Sequence, residues 1–536
     1  MERGCMMKIS VNNWTNTLKS NMVNFINYYL SKGPLLEVVE RCDEAVKLLD
    51  RCIPFNEAAK YRQFLGGVFT SHLQLINLPG MNLGRLEHLA YLLKGLNLNK
   101  LNVLTPKTTS NNEVDAYVNG PDCLRVFIDE INKAERYIHL SVMLFFNDKS
   151  GNQVAEALIH AIERGVIVRL MVDYGVTAIG YDKSLAVGRF EKIAERLEAA
   201  GCKIVDTFHT CYDKKDWPGK RAELASKGVP ESALSIQDYV QEETTIDLNV
   251  INHRKFMVID GITAVMGSLN IGDQYMYETA AEGARKVQAD SVNQGIPGKK
   301  EQWHDGCFRI RGAASFSLNE IFSVQWTVLG GDVFNPSDAF YFPDINRNFG
   351  SEECTIFSSF PGNPVNLIQD YYLSLIKYAA DETIIINPYL IDQSFWDQLQ
   401  NISKEQSRHI AICNPLYVND LLTNRTAVRS NMYQPFLKGV SFYDYSETGR
   451  FSHWKIAYDK RSNCVFHGSY NINERSACHD FELGVLIKGK SFAQKMRKII
   501  DFDLSVSNKI TNEKEFFKHP LLHPSTYIHK ITKGIT

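Results

Sequence analysis

The sequence predicts an α/β protein made of two similar half-domains, each a mixed sheet flanked by helices. The halves are related by a pseudo-twofold axis and preceded by a helical region. Three observations predict this. The chain has 536 residues, more than one hydrophobic core ordinarily supports. From about residue 110, helical and strand-like apolar periodicities alternate. The same order of elements returns from residue 367, and both copies close on one local signature.

Residues 1–108 carry apolar side chains at helical spacing over 23–30, 35–49 and 86–96 but no chemical motif, which predicts an accessory helical region. The first half spans 109–345. It predicts a helix over 123–136, a β-rich apolar run over 137–146, a helix over 154–164 stopped by Gly165, and a buried strand over 166–172. The second half spans 346–507. It predicts a helix over 367–380, a strand over 383–387, a short helix over 395–400 and a strand over 409–413. A helix over 426–433 then ends before Pro435, and Gly439 opens a strand over 440–445. A duplication of about 170 residues is too long for a solenoid repeat and implies a pseudo-twofold particle with its site at the seam. Polar insertions at 214–243 and 278–300 are expected as covers of that site or as surface decoration. The aromatic runs 144–146, 340–342 and 357–360 are expected in the core. The tail, 508–536, mixes lysine, histidine and apolar residues and is expected as a solvated end, with contact to an anionic bilayer as the alternative.

Composition narrows the function classes. A formal net charge of -2 and a pI of about 6.7 argue against a dedicated nucleic-acid binder. The 11 cysteines are odd in number and include no C-x-x-C pair, the pattern of reduced, mostly buried thiols rather than disulfides or a zinc site. With no H-E-x-x-H either, no metal and no cofactor are expected. The first ten residues hold no apolar h-region, and no run approaches 18 apolar residues, so neither a secretory signal nor a membrane span is expected. The expected location is cytoplasmic or peripheral to a membrane, and non-classical export is compatible with it. Nothing in the sequence speaks to oligomeric state.

The chemistry lies in a repeated constellation. The first copy reads His253-Arg-Lys255, Asp260, then Gly267-Ser268-Leu-Asn270; the second reads His453-Trp-Lys455, Asp459, then Gly468-Ser469-Tyr-Asn471. Fourteen histidines make about one H-x-K triplet expected by chance. Here both triplets are followed by G-S-x-N, and both close a structural repeat. Residues i and i+2 of a strand share a face, so His253 projects with Lys255 and His453 with Lys455, while Arg254 and Trp454 face away. Gly267 and Gly468 permit close backbone approach, and Ser268, Ser469, Asn270 and Asn471 add short donors. Two such sets facing each other form a cage of donors for one phosphate, with the lysines as point charges on phosphoryl oxygens. His304 and His467 are expected as structural neighbours of the motif.

These residues resemble the phospholipase D superfamily, whose mark is a duplicated H-x-K-x4-D motif, and most of all its cardiolipin synthase and bacterial phospholipase D branch. The stretch from His253 through Gly261 to Tyr275, Trp303-His-Asp305 with Phe308-Arg-Ile310, and Phe481-Glu482 through Ile487 carry the likeness, which covers about residues 110–505. The resemblance implies that one histidine attacks phosphorus to form a phosphohistidine while the other protonates the leaving alcohol, with His253 as nucleophile and His453 as acid. It implies that Asp305 in the first half and Glu482 in the second each hold the histidine of the preceding motif in the useful tautomer. It gives Asp260 a structural role. The second motif departs from the pattern: three residues, not four, separate Lys455 from Asp459, and Lys460 follows.

Three functions follow. The first is a phosphodiesterase or phosphatidyltransferase acting on a phospholipid at a membrane surface. The second is a metal-independent endonuclease of the same superfamily, and the third a non-catalytic binding relative. The branch-level likeness and the neutral charge favour the first, and nucleic acid is the less expected partner. Intact His, Lys and Asn in both copies disfavour the third.

Overall fold

Short runs rich in isoleucine, valine and phenylalanine, such as β10 (Thr383–Ile386) and β6 (Phe256–Ile259), are buried on both faces, as expected of strands covered by helices on each side. A computed structural model of the chain describes residues 107–527, apart from 174–189, 208–215, 227–250, 277–302, 329–330, 333–337, 346, 360–365, 446–449 and 479. The helical region expected over 1–108 lies outside the described residues but for its last two. So do the insertion at 278–300 and most of that at 214–243. The described part of the latter forms a helix, Trp217–Ser226, that buries Trp217 and Leu224.

The duplication is visible in one continuous sheet. The first half contributes β1 (Lys107–Val118), β2 (Tyr137–Val142), β3 (Ile167–Val172), β4 (Lys203–Asp206), β6, β7 (Thr263–Gly267) and β8 (Gly306–Arg311). The second contributes β9 (Glu352–Ser359), β10, β11 (Ile410–Asn414), β12 (Ser441–Asp444), β13 (Ile456–Asp459), β14 (Cys464–Gly468) and β15 (Asp480–Lys488). Across the sheet the order is β12-β11-β10-β13-β14-β15-β9 followed by β1-β8-β7-β6-β2-β3-β4. One half therefore reads as the reverse of the other. β1 and β9 meet antiparallel at the centre. Where two sheets were expected, the halves share one.

The helices lie near their expected places. Examples are α1 (Gly120–Lys133), α2 (Lys149–Glu163) with Gly165 left-handed behind it, and α3 (Leu367–Lys377) capped by Asn366. The helix expected before Pro435 spans Leu422–Asn431 and ends before it, but Pro435 itself is helical. It sits in the first turn of a second helix, Tyr433–Lys438, where a missing N–H costs nothing. The run 144–146 is core, whereas Phe340 is exposed. The tail begins packed rather than free: Asn508–Lys509 adds an edge strand to β12, and Ile510 and Phe516 are buried against the second half, while most of the other described tail residues are exposed or half-buried. Among the described residues, six cysteines are buried and free, and no helix is long and apolar enough to cross a membrane.

The two motif aspartates have different jobs. Asp260, left-handed at the end of β6, accepts hydrogen bonds from the backbone N–H groups of Glu135, Arg136 and Tyr137 at 2.8–2.9 Å, fixing the entry to β2. In the second half Lys460 takes the equivalent place, its N–H bonding the Glu382 carbonyl as that of Asp260 bonds Tyr137. Asp459 instead accepts from Ser462 within the hairpin. The shortened spacing is thus absorbed in a surface turn. Asp260→Ala, which strands three donors, should destabilise the fold by about 2–4 kcal/mol. Asp459→Ala should cost less than about 1 kcal/mol; equal denaturation midpoints for the two variants would contradict this division.

Candidate active site

Both H-x-K segments lie just before a strand rather than within it. His253, Arg254 and Lys255 join the two-residue strand β5 (Ile251–Asn252) to β6, and His453, Trp454 and Lys455 lead into β13. Each of these approaches runs beside the carboxylate segment of the other half. β5 pairs in parallel with the start of β15, and the His253 N–H donates to the Phe481 carbonyl at 3.0 Å. Across the seam Ser452 bridges His304 in parallel, and the His453 N–H donates to the His304 carbonyl at 2.8 Å.

The consequence is a crossed pairing. His253 Nδ1 lies 3.0 Å from Glu482 Oε1, and His453 Nδ1 lies 2.8 Å from Asp305 Oδ2. Each carboxylate grips the histidine of the opposite half, not the one that precedes it in its own half. Sequence order suggested the reverse because Asp305 follows His253 in the chain; the parallel bridges bring the other pair together. A carboxylate only accepts, so each Nδ1 carries its proton and each Nε2 presents a lone pair. Lys455 Nζ stands 2.8 Å from Nε2 of His453 and 2.6 Å from its carbonyl; Lys255 Nζ stands 2.5 Å from the His253 carbonyl.

The serines differ from expectation. Ser268 donates its hydroxyl to Asp305 and Ser469 donates to Glu482, so these protons are committed to carboxylates rather than to a phosphate. Ser476, which the sequence reading missed, also donates to Glu482 at 2.5 Å. Asn270 accepts from the Leu144 N–H at 3.1 Å, while the Asn471 N–H donates to Ser476 Oγ. The Asn471 side-chain oxygen is buried without a hydrogen-bond partner. Gly267 and Gly468 allow the tight packing: a Cβ on Gly468 would stand 2.2 Å from the Leu483 carbonyl oxygen. His304 and His467 are framework groups: His304 bonds Asp503 and Asn119, and His467 bonds the Lys455 and Gly306 carbonyls.

Electrostatics ties the halves together. Burial lowers the Lys455 ammonium to about 7 and the Lys255 ammonium to about 8. The nearby carboxylates oppose this, and at Lys455 the charge of Lys255 adds to it. Burial also lowers both imidazoles. It would raise Asp305 and Glu482, but the facing histidines, the lysines and the serine hydroxyls outweigh it and hold both low. At neutral pH the site therefore holds ionised carboxylates, neutral imidazoles and partly charged lysines. Aromatic rings wall His453, with Trp303 at 5.1 Å, Tyr275 and Phe451 at 5.8 Å, and Tyr389 at 6.4 Å between centroids. Of these Trp303 and Tyr275 stood in motif stretches read from the sequence; Phe451, Tyr389 and the nearby Asp420 had no signal. Among the described residues, no group of three or more His, Cys, Asp or Glu is placed to hold a metal ion.

The chain is similar to known proteins over most of its length. The major cardiolipin synthase ClsA of Bacillus subtilis is 26% identical over 422 residues, which span 77% of this chain and 73% of the relative. A cardiolipin synthase of Clostridium perfringens is 24% identical over 440 residues, 80% of this chain and 78% of the relative. Among solved structures, phosphatidylserine synthase of Haemophilus influenzae shares the fold at a TM-score of 0.53 and 12% identity, covering 82% of this chain and 99% of that one. The family model described as cardiolipin synthase, PLD-like domain, matches residues 127–294 and 372–504, together more than half of the sequence. With a motif in each matched segment and one site across their seam, the chain belongs to this cardiolipin synthase PLD-like domain family.

Proposed function

We propose that the protein is a phospholipase D-type phosphatidyltransferase or phosphodiesterase acting on phospholipids through a phosphohistidine. The observation that carries this reading is the crossed pairing of His253 with Glu482 and His453 with Asp305. It leaves two Nε2 atoms unprotonated beside two buried ammonium groups, the requirements of a nucleophile and an anion cage. The relatives named as cardiolipin synthases support the lipid substrate.

In the first step His253 Nε2 attacks phosphorus, the P–O bond to the leaving alcohol breaks, and His453 donates the proton that alcohol needs. The bound phosphate's negative charge favours the imidazolium form of His453, so its protonation accompanies substrate binding. Water or a second alcohol then attacks the phosphohistidine while His453 takes back the proton. Lys255, Lys455, Asn270 and Asn471 hold the phosphoryl oxygens, and Asp305 and Glu482 fix the imidazoles. We place residues 109–345 and 346–507 as the halves and the protein at a membrane surface as a peripheral enzyme.

The test is head-group release from phosphatidylglycerol and phosphatidylcholine, with plasmid DNA alongside. His253→Ala and His453→Ala should each lose about 1,000-fold or more of the lipid activity. Plasmid nicking with inert lipids would replace this reading with the nuclease. Glu482→Gln should cost about 100-fold alone and little more on top of His253→Ala, because the two act as a unit; independent, additive losses would contradict the crossed assignment. Raising pH through about 7 to 8 removes protons from Lys455 and then Lys255. The cage loses positive charge, so kcat/KM should fall over that interval; a rise there would count against the lysines as phosphate ligands.

A further inference from the structure

Arg254 is the middle residue of the first H-x-K triplet and points away from the cage, yet it is only 2% exposed. Its guanidinium reaches into the second half. Nε donates to the Glu482 carbonyl at 3.2 Å, and one terminal nitrogen donates to Ser358 Oγ (2.6 Å) and to the Ser359 carbonyl (2.9 Å). The other terminal nitrogen donates at 2.9 Å to Gln325 Oε1, on the first-half helix Ala313–Val328. The same guanidinium lies 5.1 Å from the centre of the Phe481 ring. Glu482 and Ser359 face each other in the β15–β9 ladder, so one side chain binds the carbonyls of both members of a register pair.

All four of these acceptors are neutral. Burying a guanidinium on neutral partners is costly, and a side chain that only filled space would be better made of methylenes. Burial lowers Arg254 to about 9, and the charge of Glu482 opposes that fall. At neutral pH it is therefore a cation set behind the carboxylate that grips His253. Its planar fork fixes the Glu482 backbone, and its charge favours the ionised carboxylate, the form that accepts from His253 Nδ1. The other half is built differently. Trp454 stands in the place of Arg254 and packs against Gly306, beside Asp305, where a Cβ would lie 3.0 Å from the indole. The two histidine–carboxylate pairs thus have unlike supports, a buried charge for one and a neutral ring for the other. We propose that Arg254 is a positioning residue that holds the Glu482 carboxylate against His253 and leaves the His453–Asp305 pair to its own support. Its effect on turnover rests on the phosphoryl-transfer reading of the same site.

The test uses the full chain carrying Arg254→Gln, and in parallel Ser358→Ala, which removes a single acceptor. With bis(4-nitrophenyl) phosphate as substrate, Arg254→Gln should lower kcat about 10- to 100-fold and leave KM within about twofold. Ser358→Ala should show a smaller loss in the same parameter. The Arg254→Gln loss should largely vanish in a Glu482→Gln background and persist in full in an Asp305→Asn background. Nitrogen-15 NMR of labelled histidines reads the pair without turnover. The Nδ1–H signal that His253→Asn removes should shift or weaken in Arg254→Gln, while the signal that His453→Asn removes stays in place. The proposal is overturned by a raised KM with kcat unchanged, by equal losses in both backgrounds, or by an unmoved His253 signal. Should Arg254→Gln fail to fold, Ser358→Ala carries the same three tests. A chain inert towards this phosphodiester, with the His253 signal moved, would sink phosphoryl transfer and leave the role of Arg254 standing.

Discussion

Two short parallel bridges across the seam govern the rest of the structure. One lays the approach to His253 against the start of β15, and the other lays Ser452 against His304. Each delivers a histidine to a carboxylate of the opposite half. Neither half holds a complete site, since each lacks the acceptor for its own imidazole. Docking of the halves and assembly of the site are therefore one event, and the shared sheet with β1 against β9 at its centre fixes the separation of the two sets.

The site gathers two lysines, two histidines and two carboxylates, all nearly or fully buried. Burial of that many ionisable groups is tolerated because their charges compensate and each carboxylate accepts several hydrogen bonds. Asp305 takes His453, Ser268 and the Gly306 N–H; Glu482 takes His253, Ser469 and Ser476. The balance leaves no excess positive charge among these groups. In the proposed reaction an incoming phosphate would restore what burial removes from Lys255 and Lys455, which links ligand charge to lysine protonation.

Much of this was legible in the chain. Alternating helix and strand periodicity gave the α/β class, and the repeated order of elements gave the duplication. His253, Lys255, His453 and Lys455 were found because two rare triplets share a distant partner motif. What escaped was long-range. Tyr389 and Asp420 sit in segments with no signature, and they reach the site only because Asn419 and Asn424 tie those segments together. The tail escaped because an edge strand of two residues has no detectable period.

The sequence by itself determined the class of fold, the twofold repeat and the chemical types at the site, because periodicity and residue spacing are local properties of the chain. Only the tertiary structure decided which carboxylate serves which histidine, that Ser268 and Ser469 give their protons to Asp305 and Glu482, and that one sheet joins the halves. The histidine–carboxylate pairs span 229 and 148 positions, and the serine bonds, though 37 and 13 positions long, form only where the surrounding strands pair. No local pattern encodes such pairings, since the free energy that selects them arises only when both halves are folded and packed.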